Sequence, residues 1–495
     1  MRRSTLISIH KWFGLVAGLW LVVLGVSGLM LDHRDDWAWA WQVMVPDSWL
    51  PNATVKKLEM RHLTLAQAHP EDANRWVVAG ASGAWVTTNA GARWQAVTFR
   101  GRDTAPMIYG MVPDDAKGWE QLWMATSDGL WALEPGDSGT EAQPRGLQGS
   151  RLTAIDLGAE PGELVLAENR TDLILWNPER GSPARIETSE ARVSGLPEQV
   201  SWSRFIFDLH LGRALLDRPW SMLINDIGAV LFILMPLTGF LYWYLPRHWR
   251  GEGGMRRGCR MTWFQWLYRI HAPLLGLLAL VPLLYLALTG IVMDHRNELI
   301  PTLAKNTISR DVLPPVYSFN SLTLEISHVI AYPGEPDRLT VGTRLGVLTT
   351  DNGGESWQRE LGQPVAPGYV WSLKRIGDQL FLGGLGGPSY FRPLDSDSWS
   401  MVPGLFGMPS DAAVSEDAWY VISGPAMKTG DLESGLVDFD LPFPAMDTTP
   451  LMLIMFEVHN AGLIHESLVW GLDLVAIGIV LMLITGPILW WRRKW

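Results

Sequence analysis

The chain has 495 residues, of which 47% are hydrophobic and 18% charged, with a formal net charge of −11. That is too apolar for an ordinary soluble protein and too polar for membrane helices alone, and the negative charge excludes a general nucleic-acid binder. The single cysteine, Cys259, excludes an intramolecular disulfide and any CxxCH site for covalent haem attachment.

A helix needs about 20 apolar residues to cross the hydrocarbon layer. The first such run, Ile7–Leu31, lies in residues 1–32 and is followed by Asp32-His33-Arg34-Asp35-Asp36. It is too long for a signal peptide and no small-residue cleavage site follows, so it reads as a retained span. Residues 33–220 then alternate in short runs broken by Gly, Asp and Pro, the pattern of strands. A second span (221–246, apolar over Leu223–Leu245) leads through a basic link (247–265) to a third (266–293, apolar over Leu267–Met293). A second β segment fills 294–467, and 468–495 holds a fourth span, Leu468–Trp491, with a short tail.

The basic residues set the expected orientation. Arg2, Arg3 and Lys11, then Arg247, Arg250, Arg256, Arg257 and Arg260, then Arg492, Arg493 and Lys494 fall on one side of four spans. That side is the cytoplasm by the positive-inside rule. Trp37, Trp39, Trp41, Trp243, Trp490, Trp491 and Trp495 flank the apolar runs as interfacial anchors. The expectation is a bacterial inner-membrane protein with both termini cytoplasmic and a periplasmic β domain.

The chain repeats itself. His10-Lys-Trp-Phe-Gly14, Ser27-Gly28 and Asp32-His33-Arg34 in span 1 answer to His271-Ala-Pro-Leu-Leu-Gly276, Thr289-Gly290 and Asp294-His295-Arg296 in span 3. Phe207-Asp-Leu-His210, Asp226, Thr238-Gly239 and Trp243 answer to Phe456-Glu-Val-His459, Asp473, Thr485-Gly486 and Trp490. The step from Gly14 to His33 equals that from Gly276 to His295, and Asp226 to Gly239 equals Asp473 to Gly486. A unit of span, extramembrane segment and span therefore occurs twice, with a pseudo-symmetry axis expected along the membrane normal. The recurrent Ser/Thr-Gly pairs suit close helix packing in lipid, or room for a flat cofactor.

Two segments, Ala84 to Trp94 and Val347 to Trp357, resemble Asp-box (BNR-type) hairpins, with Asp351 read as the box acid of a good match and Asn89 as its degraded equivalent. Their role is structural, since the side chains satisfy turn amides. Further strand pairs are expected at 120–134, 162–176, 379–392 and 418–439. The expected fold is thus membrane α-helical, four transmembrane helices in a two-fold duplication, plus an all-β, propeller-like domain of about six units.

Six of the eleven histidines form matched pairs: His10/His271, His33/His295 and His210/His459. His62, His69, His248, His328 and His465 have no clear equivalents. A histidine in a span is a functional residue by default, and imidazoles on facing helices suit axial haem ligation. Two trans imidazoles, each about 2 Å from iron, hold one haem. His10 with His271 would form a site at the cytoplasmic face, and His33, His295, His210 and His459 one or two sites at the periplasmic face. Asp226 and Asp473, the acids placed in both halves, would bond a haem propionate or a ligand histidine. No G-x-G-x-x-G marks a nicotinamide or flavin site.

The His-x-Trp-x-Gly, Ser/Thr-Gly and Asp-His-Arg pattern, with Phe-x-x-His before a span bearing Thr-Gly and Trp, resembles the PepSY-associated transmembrane family. The resemblance covers the four spans. It implies an iron-regulated inner-membrane protein or siderophore reductase with b-type haem on His10, His33, His210, His271, His295 and His459; the histidines at the two faces suit two haems. The expected activity is an oxidoreductase passing electrons from a quinone or cytoplasmic donor to a periplasmic acceptor, with ferric siderophore reduction to release iron. The extramembrane segments depart from the family, because Asp-box units stand where a PepSY domain would. The alternative is a non-enzymatic, membrane-anchored binding or assembly protein whose β domain recruits a periplasmic partner.

Overall fold

The computed structural model describes residues 3–136, 140–188, 191–216, 220–248, 257–318, 322–323, 325–360, 370–384, 387–423, 426–463 and 465–491. Arg2, Arg250, Arg256, Arg492, Arg493, Lys494 and Trp495 lie outside the described residues. The chain divides into two units. The helical one comprises Met1–Thr54, Phe205–Ser318 and Pro450–Trp495, and the β-rich one Val55–Arg204 and Phe319–Thr449.

The site helices are α1 (Arg3–Asp32), α2 (Trp202–His210), α3 (Trp220–His248), α4 (Arg257–Arg269), α5 (Leu280–Asp294), α6 (Leu451–His459) and α7 (Val469–Trp491). Among the described residues three helices are long and apolar enough to cross a membrane: Ser4–Asp32, Trp220–Leu245 and Val469–Trp491. The span expected over 266–293 is formed by a bent pair, Thr262–Leu278 meeting Leu280–Asp294 at 59°. Between α4 and α5, Ile270–Leu275 forms a π turn containing Pro273. Proline offers no N–H and its ring crowds the carbonyl one turn back, so the backbone widens there.

Helix α1 packs on α3 and α7, and α5 packs on the same two. Ala17, Leu21, Leu231, Ala279, Leu283, Ala476 and Ile479 meet in their core. A Cβ added at Gly25 would stand 2.7 Å from Ala229 O, so α1 and α3 approach to backbone contact. Val16, Leu19, Val281, Trp470 and Leu474 face outward and are largely exposed. Apolar rows turned outward are what lipid chains cover.

Among the described residues the β unit contains six sheets. Their first strands are β1 (Leu63–His69), β2 (Ile108–Asp114), β3 (Leu152–Leu157), β4 (His328–Tyr332), β5 (Val370–Ile376) and β6 (Pro409–Ser415). Each continues antiparallel into three more strands, and strands occupy the four segments expected at 120–134, 162–176, 379–392 and 418–439. The second and fourth sheets gain a fifth, parallel strand, Thr98–Phe99 beside Glu141 and Arg192–Ser194 beside Ser356. Buried charges tie sheets together. Asp411 on β6 accepts from Ala66 N on β1 at 2.9 Å, and Asp156 on β3 accepts from Ala331 N on β4 at 3.3 Å. Lys374 and Arg375, adjacent on β5, pair with these acids at 2.8 and 3.2 Å, offsetting the cost of burying them.

The two box turns share a set of bonds. Thr87 Oγ1 donates to Asn89 Oδ1 (2.8 Å) and accepts from Gly91 N, while Arg93 N donates to Asn89 Oδ1. Thr350 Oγ1 donates to Asn352 Oδ1 (2.7 Å) and accepts from Gly354 N, while Ser356 N donates to Asn352 Oδ1. The acceptor of the second turn is therefore Asn352, not Asp351, whose carboxylate lies 3.8 Å from Arg338. The first turn has asparagine in the same position but lacks a hydroxyl before its tryptophan: Ser356 Oγ accepts from Asn352 Nδ2 at 2.9 Å, where Arg93 stands in the first turn.

Candidate functional site

Four of the six paired histidines meet a hydroxyl from a different helix. His10 Nδ1 on α1 lies 3.1 Å from Thr485 Oγ1 on α7. His271 Nδ1, on the π turn, lies 3.0 Å from Thr238 Oγ1 on α3. At the other end of the bundle, His210 Nδ1 closes α2 at 2.9 Å from Thr289 Oγ1 on α5. His459 Nδ1 closes α6 at 3.0 Å from Ser27 Oγ on α1.

Each hydroxyl belongs to a Ser/Thr-Gly pair, and the glycine makes room for the ring. A Cβ at Gly239 would stand 3.0 Å from His271 Cε1, at Gly28 3.3 Å from His459 Cε1, and at Gly486 3.6 Å from His10 Cε1. At Gly290 the corresponding distance to His210 Cε1 is 3.9 Å. What these small pairs admit is thus an imidazole, held at Nδ1 by the hydroxyl.

The four rings form two facing pairs. His10 and His271 have centroids 6.4 Å apart with planes crossed at 77°. His210 and His459 have centroids 6.3 Å apart at 58°. On α1, His10 and the Ser27 that holds His459 are 17 positions apart in sequence. At 1.5 Å per residue the pairs stand about 26 Å apart along the bundle.

His33 and His295 are placed differently. His33 Nε2 lies 3.1 Å from Asp226 Oδ1, and His295 Nε2 lies 2.8 Å from Asp473 Oδ2. His33 stacks on Trp37 at 5.2 Å, and His295 lies 5.0 Å from Trp470. The four histidines grouped at this face in the sequence therefore divide into one His–His pair and two His–Asp pairs. Asp226 and Asp473 bond the latter, not the four facing rings.

Sequence reasoning missed one polar link. Tyr285 Oη donates to Asn225 Oδ1 at 2.6 Å, and Asn225 Nδ2 donates to His210 O at 2.7 Å. Its signal was a break in the repeat, since Leu472 precedes Asp473 where Asn225 precedes Asp226. Of the unpaired histidines, His62 is buried in the β unit, 2.7 Å from Ser82 Oγ, and burial pushes it down to about 4. Among the described residues no group of three or more His, Cys, Asp or Glu side chains is placed to hold a bare metal ion.

The family model described as the PepSY-associated TM region matches residues 7–493, which include all six paired histidines. The chain belongs to the PepSY-associated TM region family. As a PepSY-associated TM protein it is a membrane protein, here with a large multi-sheet β unit. No curated protein sequence matches the chain. Among solved structures, an ancestral GH74 enzyme is similar at 10% identity and TM-score 0.35, over 78% of this chain and 38% of its own. The chain thus spans well under half of that enzyme's length. The β-propeller domain of Cps50 (Swd1) from Myceliophteria thermophila is similar at 10% identity and TM-score 0.35, over 78% of this chain and 88% of its own.

Proposed function

We propose that this PepSY-associated TM protein is an inner-membrane haem-b oxidoreductase. It would hold one haem between His10 and His271 and a second between His210 and His459, and pass single electrons across the membrane to a periplasmic acceptor, a ferric siderophore. The observation that carries the reading is the spacing of the rings. The observed distances are 6.4 and 6.3 Å. Two imidazoles facing each other across such a gap would hold a haem iron between them. When bound between two imidazoles, haem iron supplies one-electron transfer between its ferric and ferrous forms.

The chain's own residues do the rest. Thr485, Thr238, Thr289 and Ser27 orient the rings through Nδ1, and the glycines beside them keep Cε1 clear of a side chain. Ala17, Leu21, Leu283 and Ile479 fill the bundle between its ends with apolar atoms and exclude water. Opposed pairs at the two ends suit entry of electrons from a quinol or cytoplasmic donor and exit to the periplasm. In the same reading the chain is an internal duplication of four spans with cytoplasmic termini, and the β unit is a propeller-like platform that recruits the acceptor. Ferric iron is the substrate, because siderophore oxygen donors hold the hard ferric ion better than the ferrous one.

The test is vesicles containing the protein, with a quinol as donor and a ferric hydroxamate chelate on the β-unit side, trapping ferrous iron with a chromogenic chelator. Ferrous iron should form with the intact chain and not with His10→Ala. Equal rates in the two would remove the reading.

A further inference from the structure

The four hydroxyl contacts share a detail that fixes where the protons sit. A serine or threonine hydroxyl has one proton and two lone pairs. In each case the oxygen also reaches the carbonyl one turn back on its own helix: Ser27 to Val23 O, Thr238 to Leu234 O and Thr289 to Tyr285 O, all at 2.7 Å, and Thr485 to Leu481 O at 2.8 Å. A carbonyl only accepts, so the hydroxyl proton is directed there. Toward the imidazole the hydroxyl then presents a lone pair, and Nδ1 brings the hydrogen. A neutral imidazole has one ring proton, so Nε2 is left with its lone pair free. This assignment comes from the proton count.

We infer that Ser27, Thr238, Thr289 and Thr485 are positioning residues that hold His459, His271, His210 and His10 as Nδ1–H tautomers, each offering an unprotonated Nε2 to a ligand. The purpose of this arrangement rests on the proposed haem reading; its geometry does not. The acceptor type sorts the histidines. The four that face one another carry neutral hydroxyl acceptors, whereas His33 and His295 bond the carboxylates of Asp226 and Asp473. A carboxylate acceptor draws the ring proton and makes a ligand more basic, favouring ferric iron. A hydroxyl draws it less and keeps the ferrous state accessible.

The experiment uses the full-length protein with Thr485→Val and Thr289→Val, one at each end of the bundle, and Thr485→Ser and Thr289→Ser as conservative controls. Ring-nitrogen and Cδ2 shifts in 15N,13C-histidine-labelled protein without haem, assigned with single His→Gln variants, report each tautomer directly. All four facing rings should be Nδ1–H in the unsubstituted protein. Thr485→Val should shift His10 toward Nε2–H, and Thr485→Ser should not. In haem-loaded protein each valine variant should bind haem about tenfold more weakly at its own end. It should also show a more positive midpoint potential there, with the other end and the serine variants unchanged. Nε2–H rings in the unsubstituted protein, or valine variants with unaltered tautomer and potential, would overturn the inference. Nδ1–H rings in a chain that binds no haem would remove the haem reading and leave the inference supported.

Discussion

The imidazole of His10 faces that of His271 with centroids 6.4 Å apart, and each ring is held by a threonine from a helix other than its own. The same relationship recurs between His210 and His459 at 6.3 Å. Because the pairs are about 26 Å apart along the bundle, loss of one should not disturb the other. His10→Ala and His210→Ala should each lower haem from two per chain to one, measured as pyridine haemochrome, and the double variant should hold none.

His33 and His295 bond aspartates, so their removal should leave haem content at two per chain. His33→Ala and His295→Ala should each cost at most about 1 kcal/mol, as expected for a partly exposed pair. Haem quantification checks this, and loss of one haem in either variant would reassign the ligands.

Both box turns are predicted to depend on their asparagines. Asn89→Ala and Asn352→Ala each leave turn amides without their side-chain acceptor and should cost about 1–2 kcal/mol. Asp351→Ala should stay within about 0.5 kcal/mol. Denaturant unfolding of the full chain, followed by tryptophan fluorescence, separates the three.

Acid should weaken the β unit through His62, which is 1% exposed and held down to about 4 by burial. Unfolded, it takes up a proton near pH 6.5; folded, it stays neutral until about pH 4. Stability is therefore full above pH 6.5 and falls by up to about 1.4 kcal/mol per pH unit through that window, about 3 kcal/mol in all. His62→Gln should flatten the slope of unfolding free energy against pH by one proton.

The histidines and Ser/Thr-Gly pairs that meet in the structure stood out in the sequence because each recurs at a matching offset, as His10/His271 and Thr238-Gly239/Thr485-Gly486 do. Partner choice was not legible. His33 meets Asp226 across 193 positions, a contact no local spacing reports. The bend beside Pro273 was not read, because apolar content reports a span and says nothing of its straightness. The turn acceptor was misread because Asp351 matches the box by residue type, whereas spacing from Thr350 selects Asn352, as spacing from Thr87 selects Asn89. The β sheets were legible as strand pairs because their alternation and turn residues are local signals. The ties made by Asp156 and Asp411 are long-range and were not.

The most direct measurement is the optical spectrum of the detergent-purified protein, oxidised and then reduced with dithionite, with haem counted per chain. Two haem groups with the low-spin spectrum of iron between two imidazoles, one lost in His271→Ala and the other in His459→Ala, is the predicted result. A colourless protein after expression with ample haem, or a single haem unaffected by either substitution, would contradict it.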